Sequence, residues 1–165
     1  MLQHNHKSTP FSEEKNDLIL VCDNLQSPAN IGAIFRLCDA FGVKKILSNV
    51  AFDMSSNRLK RTSRNTEKHI PFEITESLPA RVVQLQQQGY VTIALEIATA
   101  SIALPNLSLQ SKQKIVLIIG NEKHGVSEEL LSISDITTHI QMYGQNSSMN
   151  VAQATAIALY ELTKH

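Results

Sequence analysis

IVLIIGNEKHGVSEELL (Ile115–Leu131) and, shortly after it, IQMYGQNSSMNVAQATAIALYEL (Ile140–Leu162) decide how this chain folds. The first opens on five apolar residues, Ile115–Ile119, the signature of a strand buried on both faces. That strand runs into a loop that opens at Gly120, carries one acid, Glu122, and closes at Gly125. The second reads as a short strand, a loop of Gly, Ser and Asn, and a helix rich in small residues from about Asn150. Two polar loops leaving two apolar strands side by side make a crevice at the carboxyl edge of a sheet. Open α/β folds bind their ligands there.

Outward from that core, strands and helices alternate. Leu18–Asp23 is a compact apolar strand. Ser27-Pro28 starts a helix, with Ile31, Ile34, Phe35, Leu37, Cys38 and Phe41 at helical spacing, and Gly42 stops it. Lys44–Leu47 is a short strand, Asp53–Arg64 is polar and partly helical, and Ile70–Ile74 is extended. Leu78–Gln88 is a helix ending at Gly89, Tyr90–Leu95 a strand, and Ser101–Ser111 a loop. A helical turn starts at Ser127, and Thr138–Ile140 is a strand. Such alternation predicts an α/β fold, a mostly parallel sheet with helices on both faces. Residues 1–16 read as a flexible arm and 17–165 as one domain, without internal repeats.

Composition narrows the function. The chain has 165 residues, 42% hydrophobic and 18% charged, which suits one globular domain with a real core. No apolar run is long enough to span a membrane, and the polar start has no signal-peptide core, so the cytoplasm is expected. Cys22 and Cys38 read as buried, reduced thiols. The formal net charge is zero, so nucleic-acid binding requires a local basic patch.

Familiar site motifs are missing. There is no GxGxxG and no GxSxG. Gly120–Gly125 has the outer spacing of a P-loop, but Val126-Ser127 stands where Lys-Ser/Thr is needed. His4 and His6 lack the partners a metal site requires. What remains is a set of polar residues at loop edges: Asn24, Asn30, Arg36, Glu122, Ser148 and Asn150. Singly, each has an ordinary reading as a cap, a solvated acid or a snorkelling cation.

Together, their order resembles a known family. NLQSPANIGAIFRLCDAFGV (Asn24–Val43) is similar to the first motif of the SpoU/TrmH class of SPOUT RNA ribose methyltransferases, with its Asn and Arg at Asn30 and Arg36. LIIGNEKHGVS (Leu117–Ser127) resembles the second, with Gly120, Asn121, Glu122 and Gly125 in place. IQMYGQNSSMNVAQATAIALYE (Ile140–Glu161) resembles the third, through Met142, Gly144, Ser148, Asn150, Val151 and Ala154. Gln141 replaces a common Pro, and Met149 replaces a Leu of similar size.

The resemblance implies a C-terminal trefoil knot, an arrangement that general topology rules almost exclude. It implies S-adenosylmethionine, and no metal, held by Leu95, Gly120, Asn121, Ile140, Met142, Gly144 and Met149. Gly120 and Gly144 are expected to permit close backbone approach. It implies a homodimer joined through Val151–Leu162, with Arg36 reaching the partner's cofactor pocket. Methyl transfer to a ribose 2′-hydroxyl would use Arg36, Asn30, Glu122, Ser148 and Asn150. Guanidinium stays protonated, so Arg36 is read as gripping phosphate rather than as a base.

Because the segment before the domain is short, RNA contact is expected on RLKRTSRNTEK, at Arg58, Lys60, Arg61, Arg64 and Lys68. A solvated helix face has the same composition. The favoured substrate is tRNA. The alternatives are 23S rRNA, a non-catalytic knotted RNA-binding dimer, and a small-molecule enzyme on an ordinary doubly wound fold.

Overall fold

β1 (Asn16–Cys22) and β6 (Ile115–Ile119) form the centre of the molecule because they are its most apolar strands. In the computed structural model, which describes residues 14–164, they pair in parallel from Leu18 with Ile115 to Cys22 with Ile119. Among the described residues the sheet has seven strands in the order β3-β2-β1-β6-β4-β7-β5, and every pairing of these strands is parallel. Its other strands are β2 (Val43–Ser48), β3 (Phe72–Ile74), β4 (Val91–Leu95), β5 (Ile102–Ala103) and β7 (Ile136–His139).

Side chains alternate across this sheet and create two cores. Leu18, Leu20 and Cys22 of β1, with Ile115, Leu117 and Ile119 of β6, pack in the core shared with α1 (Pro28–Ala40), α2 (Asn57–Ser63) and α5 (Val151–Thr163). Ile19, Val21, Val116 and Ile118 pack in the core shared with α3 (Leu78–Gln87) and α4 (Glu128–Ile133). Helices therefore cover both faces, as the uninterrupted apolar strands require. Cys22 and Cys38 are free and buried in the first core, where burial pushes both thiols far up. No helix among the described residues is long and apolar enough to cross a membrane.

Several boundaries differ from expectation. β1 begins at Asn16, inside the stretch read as an arm, because the Asn16 amide donates to the Gly42 carbonyl and its side chain to Phe41. Residues 1–13 of that arm, with His4 and His6, lie outside the described residues. The segment read as a loop after Ser101 contains β5 and a 3-10 turn at Leu104–Asn106. β5 is only two residues long and exists through pairing with β7, which no local pattern reveals. β7 runs from Ile136 to His139, not from Thr138 to Ile140. Its start is set by Asp135, whose carboxylate accepts both the amide and the hydroxyl of Thr92 on β4 at 2.8 Å.

Candidate functional site

The carboxyl ends of β4, β6 and β7 meet the start of α5 around a cavity of about 630 Å³. Leu95, Gly120, Asn121, Ile140, Met142 and Met149, expected to hold a cofactor, all line it. So do Asn30, Glu122, Ser148 and Asn150 from the expected catalytic set. Two expected residues fall outside. Gly144 is not on the wall, and a Cβ placed on it would meet nothing within 4 Å, so no close approach occurs there among the described residues. Arg36 lines a neighbouring groove instead.

The 120–125 loop is rigid for identifiable reasons. Asn121 and Gly125 exchange two backbone hydrogen bonds of 2.9 Å. The Asn121 side-chain oxygen accepts the amides of Lys123 and His124, while its nitrogen donates to the Asn24 carbonyl at 2.6 Å. Gly120 has no room for a side chain, because a Cβ would sit 2.0 Å from the Gly125 carbonyl carbon. Gly125 has φ +69°, and its Cβ would lie 2.2 Å from a carboxylate oxygen of Glu96. Only glycine suits both positions. Glu96, unremarked in the sequence, accepts the Val126 amide on Oε2 and the Ile97 amide on Oε1, both at 2.9 Å. A lone acid at the end of an apolar strand, next to an expected cavity residue, was its only signal.

Glu122 does the work of a helix cap. Ser27, the residue before α1, makes no side-chain cap of its own. Glu122 Oε1 instead accepts the Ser27 amide at 2.9 Å and the Asn30 side chain at 3.1 Å, and Oε2 accepts the Gln26 amide at 3.3 Å. A carboxylate at a helix N-terminus is favoured by the helix dipole. Burial pushes the Glu122 carboxyl up, but the bonds from Asn30, Ser27 and Gln26 outweigh it and hold the group below the ordinary carboxylate range. It is thus a fixed anion and a poor proton acceptor near neutrality. Asn30 passes the link onward, its oxygen accepting from Asn150 Nδ2 at 2.9 Å. The Asn150 oxygen then caps α5 by accepting the amides of Ala152 and Gln153. Three residues from three distant segments form one hydrogen-bonded row.

The groove beside this row is lined by Arg36, Arg61 and Arg64, and it shares Asn30 and Asn150 with the cavity. Among the described residues, none of the three arginines is in an ion pair. Gly32 explains their approach. A Cβ there would lie 2.1 Å from Thr62 Oγ1 and 2.4 Å from the Leu59 carbonyl oxygen, so its absence lets α2 rest on α1. Arg36 stands one turn beyond that contact. Of the expected RNA-binding residues, Arg61 and Arg64 join the groove; Arg58, Lys60 and Lys68 are exposed but lie outside it.

Comparison with known proteins identifies the family. Residues 17–160 match the family model described as the SpoU rRNA Methylase family. The chain is 30% identical over 145 residues to the 23S rRNA (guanosine(2553)-2'-O)-methyltransferase RlmP of Bacillus subtilis, covering 87% of this chain and 57% of the relative. It is 30% identical over 151 residues to the tRNA (guanosine(18)-2'-O)-methyltransferase of Aquifex aeolicus, covering 92% of this chain and 71% of that protein. It thus spans little more than half of the first relative. Its fold is similar to the SpoU methyltransferase AviRb of Streptomyces viridochromogenes, solved with AdoMet, with a TM-score of 0.76 and 27% identity. That likeness covers 99% of this chain and 62% of the other.

Proposed function

The chain belongs to the SpoU rRNA methylase family, and from that premise we propose that it transfers a methyl group from S-adenosylmethionine to a ribose 2′-hydroxyl of RNA. One observation carries this reading. The cavity formed by three strand-end loops is joined, through the Glu122–Asn30–Asn150 row, to a groove holding three arginines that are in no ion pair among the described residues. The cavity fits the cofactor. Its volume is within the range of about 300–1,000 Å³ usual for small-ligand sites. Leu95, Ile140 and Met149 offer apolar surface for the faces of an adenine, and the 120–125 backbone offers polar groups for its edges.

Bound there, S-adenosylmethionine would supply an electrophilic methyl group. The chain's own residues do the rest. Arg36 grips the phosphate next to the target ribose and stabilises the charge that develops on the attacking oxygen. Transfer would form a carbon–oxygen bond as the donor's carbon–sulfur bond breaks, and the hydroxyl proton would pass to a phosphate oxygen, since the Arg36 guanidinium cannot accept it. Asn30, Ser148 and Asn150 form the polar wall that orients the ribose, and Glu122 fixes the helix that carries Arg36. Arg61 and Arg64 extend the phosphate track away from Arg36.

Two further elements belong to this reading. Arg36 faces the groove rather than its own cavity, which supports a homodimer in which Arg36 of one copy serves the cavity of the other. Ile157 and Tyr160, 42% and 64% exposed on α5, suit that interface. The second element is the trefoil knot. From β4 the chain runs out to β5 at the sheet edge and returns to β6 on the far side of β4, leaving an open loop. β7 then lies between β4 and β5, and α5 crosses back to pack on α1. That order supports threading of the C-terminal segment through the loop. The favoured substrate is tRNA, with 23S rRNA the alternative, since relatives named for each are 30% identical to this chain.

The test is labelled methyl transfer to tRNA and to 23S rRNA, preceded by calorimetry with S-adenosylmethionine and S-adenosylhomocysteine. Saturable binding of both and ribose label in tRNA are expected. Folded protein that binds neither ligand would overturn the assignment.

A further inference from the structure

We propose that Glu96 is the ribose-binding carboxylate of the cavity, holding the two hydroxyls of the cofactor's adenosine. The proposal rests on the methyltransferase reading above and adds a residue to it. Among the described residues, two carboxylates line the cavity, Glu96 and Glu122. An ionised carboxylate offers roughly four acceptor positions. Glu122 has three of them engaged, all by donors from the start of α1. Glu96 has two engaged among the described residues, one on each oxygen, by the Val126 and Ile97 amides. Each Glu96 oxygen therefore keeps an acceptor position.

The pairing of shapes is specific. A ribose presents two neighbouring hydroxyl donors, and Glu96 presents two neighbouring acceptors in one plane. That plane does not need to be ordered by the ligand. The Val126 amide ties the carboxylate to the loop after β6, and the Glu96 amide donates to the Thr138 carbonyl of β7 at 2.9 Å. Gly125, lacking a Cβ, leaves the space the carboxylate occupies. Other cavity groups suit a diol less well. The side chain of Asn121 is engaged by its own loop and by Asn24, and Lys123 and His124 sit exposed at the loop tip. Nucleotide-binding α/β folds commonly place an acid at a strand's carboxyl end for this purpose, beside a glycine fingerprint. This chain lacks the fingerprint yet carries the acid, at the end of β4.

The test is calorimetry of S-adenosylhomocysteine and its 2′-deoxy and 3′-deoxy forms against wild type, Glu96→Gln and Glu96→Ala. In the wild type each missing hydroxyl is expected to weaken binding roughly tenfold to a hundredfold, as for hydrogen bonds to a charged group. In both variants the parent ligand should weaken; the penalty for a missing hydroxyl should fall to nearly one in Glu96→Ala and only part of the way in Glu96→Gln, which keeps one oxygen acceptor. The penalty is a ratio taken within each variant, so a loosened 120–125 loop does not imitate that result. If either variant fails to fold, the other and the wild-type series decide. An unchanged penalty in a folded variant, or none in the wild type, would reduce Glu96 to a loop brace. Wild-type protein that binds none of the three ligands overturns the methyltransferase reading along with this one.

Discussion

The cavity and the groove share Asn30 and Asn150, yet they are built on opposite terms. In the cavity, the anionic groups accept the protein's own amides: Glu122 from Gln26 and Ser27, Glu96 from Ile97 and Val126. In the groove, Arg36, Arg61 and Arg64 are in no ion pair among the described residues. The cavity is thus shaped before a ligand arrives, whereas the groove gains its charge partners from outside. Preorganisation suits a small cofactor. Unpaired cations suit a polyanion, whose phosphates replace water around each guanidinium. Changes in the cavity should therefore cost stability and cofactor affinity, and changes in the groove should cost reaction with RNA.

The largest effect is expected in the groove. Arg36→Ala should lower single-turnover methylation at saturating RNA and cofactor by roughly a hundredfold to a thousandfold, the usual loss of one transition-state donor. Cofactor affinity and melting temperature should stay near wild type, because Arg36 is exposed and lies off the cavity wall. Arg36→Lys should also be poor, since a point charge does not copy a planar fork. Wild-type turnover in Arg36→Ala would make the residue a bystander and remove the functional half of the contrast.

Gly120→Ala tests the cavity. The new Cβ meets backbone at 2.0 Å, so the loop must shift. A loss near the upper end of overpacking costs, about 3 kcal/mol, is expected, together with weakened cofactor binding. Gly144→Ala is the control, because its Cβ meets nothing and its backbone is not left-handed. Urea melts of both variants decide. Equal destabilisation would mean that the 120–125 loop is no more rigid than the loop holding Gly144.

How far this was legible varies residue by residue. The parallel sheet was written in Ile115–Ile119 and Leu18–Cys22, where continuous apolar runs admit few alternatives. The cavity wall followed from glycine spacing and family likeness, and all but Gly144 of the expected cofactor set lie on it. What stayed hidden depends on distant contacts. β5 exists only against β7, Glu96 matters only because Gly125 and Val126 come to it, and Gly32 looks like a weak helix residue until Thr62 packs on it. Glu122 was expected in the site, but its job of capping α1 across 95 residues has no local trace.

Asn150 sits on the seam between the two regions. Asn150→Ala removes a cap that serves two amides of α5 and should cost about 1 kcal/mol, read as a lower melting temperature. Asn150→Asp keeps the acceptor for α5 but loses the donor to Asn30. It should melt near wild type while methylating RNA more slowly. If Asp and Ala are equally destabilised, the link to Asn30 rather than the cap holds α5 in place.

The smallest expected effect, and the most specific, is the pH dependence of the Glu122 cap. Its carboxyl titrates below the ordinary range in the folded chain, so the folded state holds the charged form more tightly than the unfolded chain does. The stability it contributes is present above the unfolded value of about 4.3 and is lost as pH falls through the lower folded value. A charge at an exposed helix start is worth a few tenths to about 1 kcal/mol. Total stability cannot reveal so little, because Asp53, Glu67 and Glu73 are also held low by their hydrogen bonds and weaken the fold in acid. The difference between wild type and Glu122→Gln isolates it, since those carboxylates are common to both. Gln keeps one oxygen acceptor and loses the charge, so it should melt lower than wild type at pH 7. The gap should narrow between pH 5 and pH 3 and close once Glu122 is protonated. A gap that stays constant from pH 7 to pH 3 would mean that side-chain shape, not charge, seats α1 on the cavity, and that the anionic bracing contrasted with the groove is not what organises this edge of the sheet.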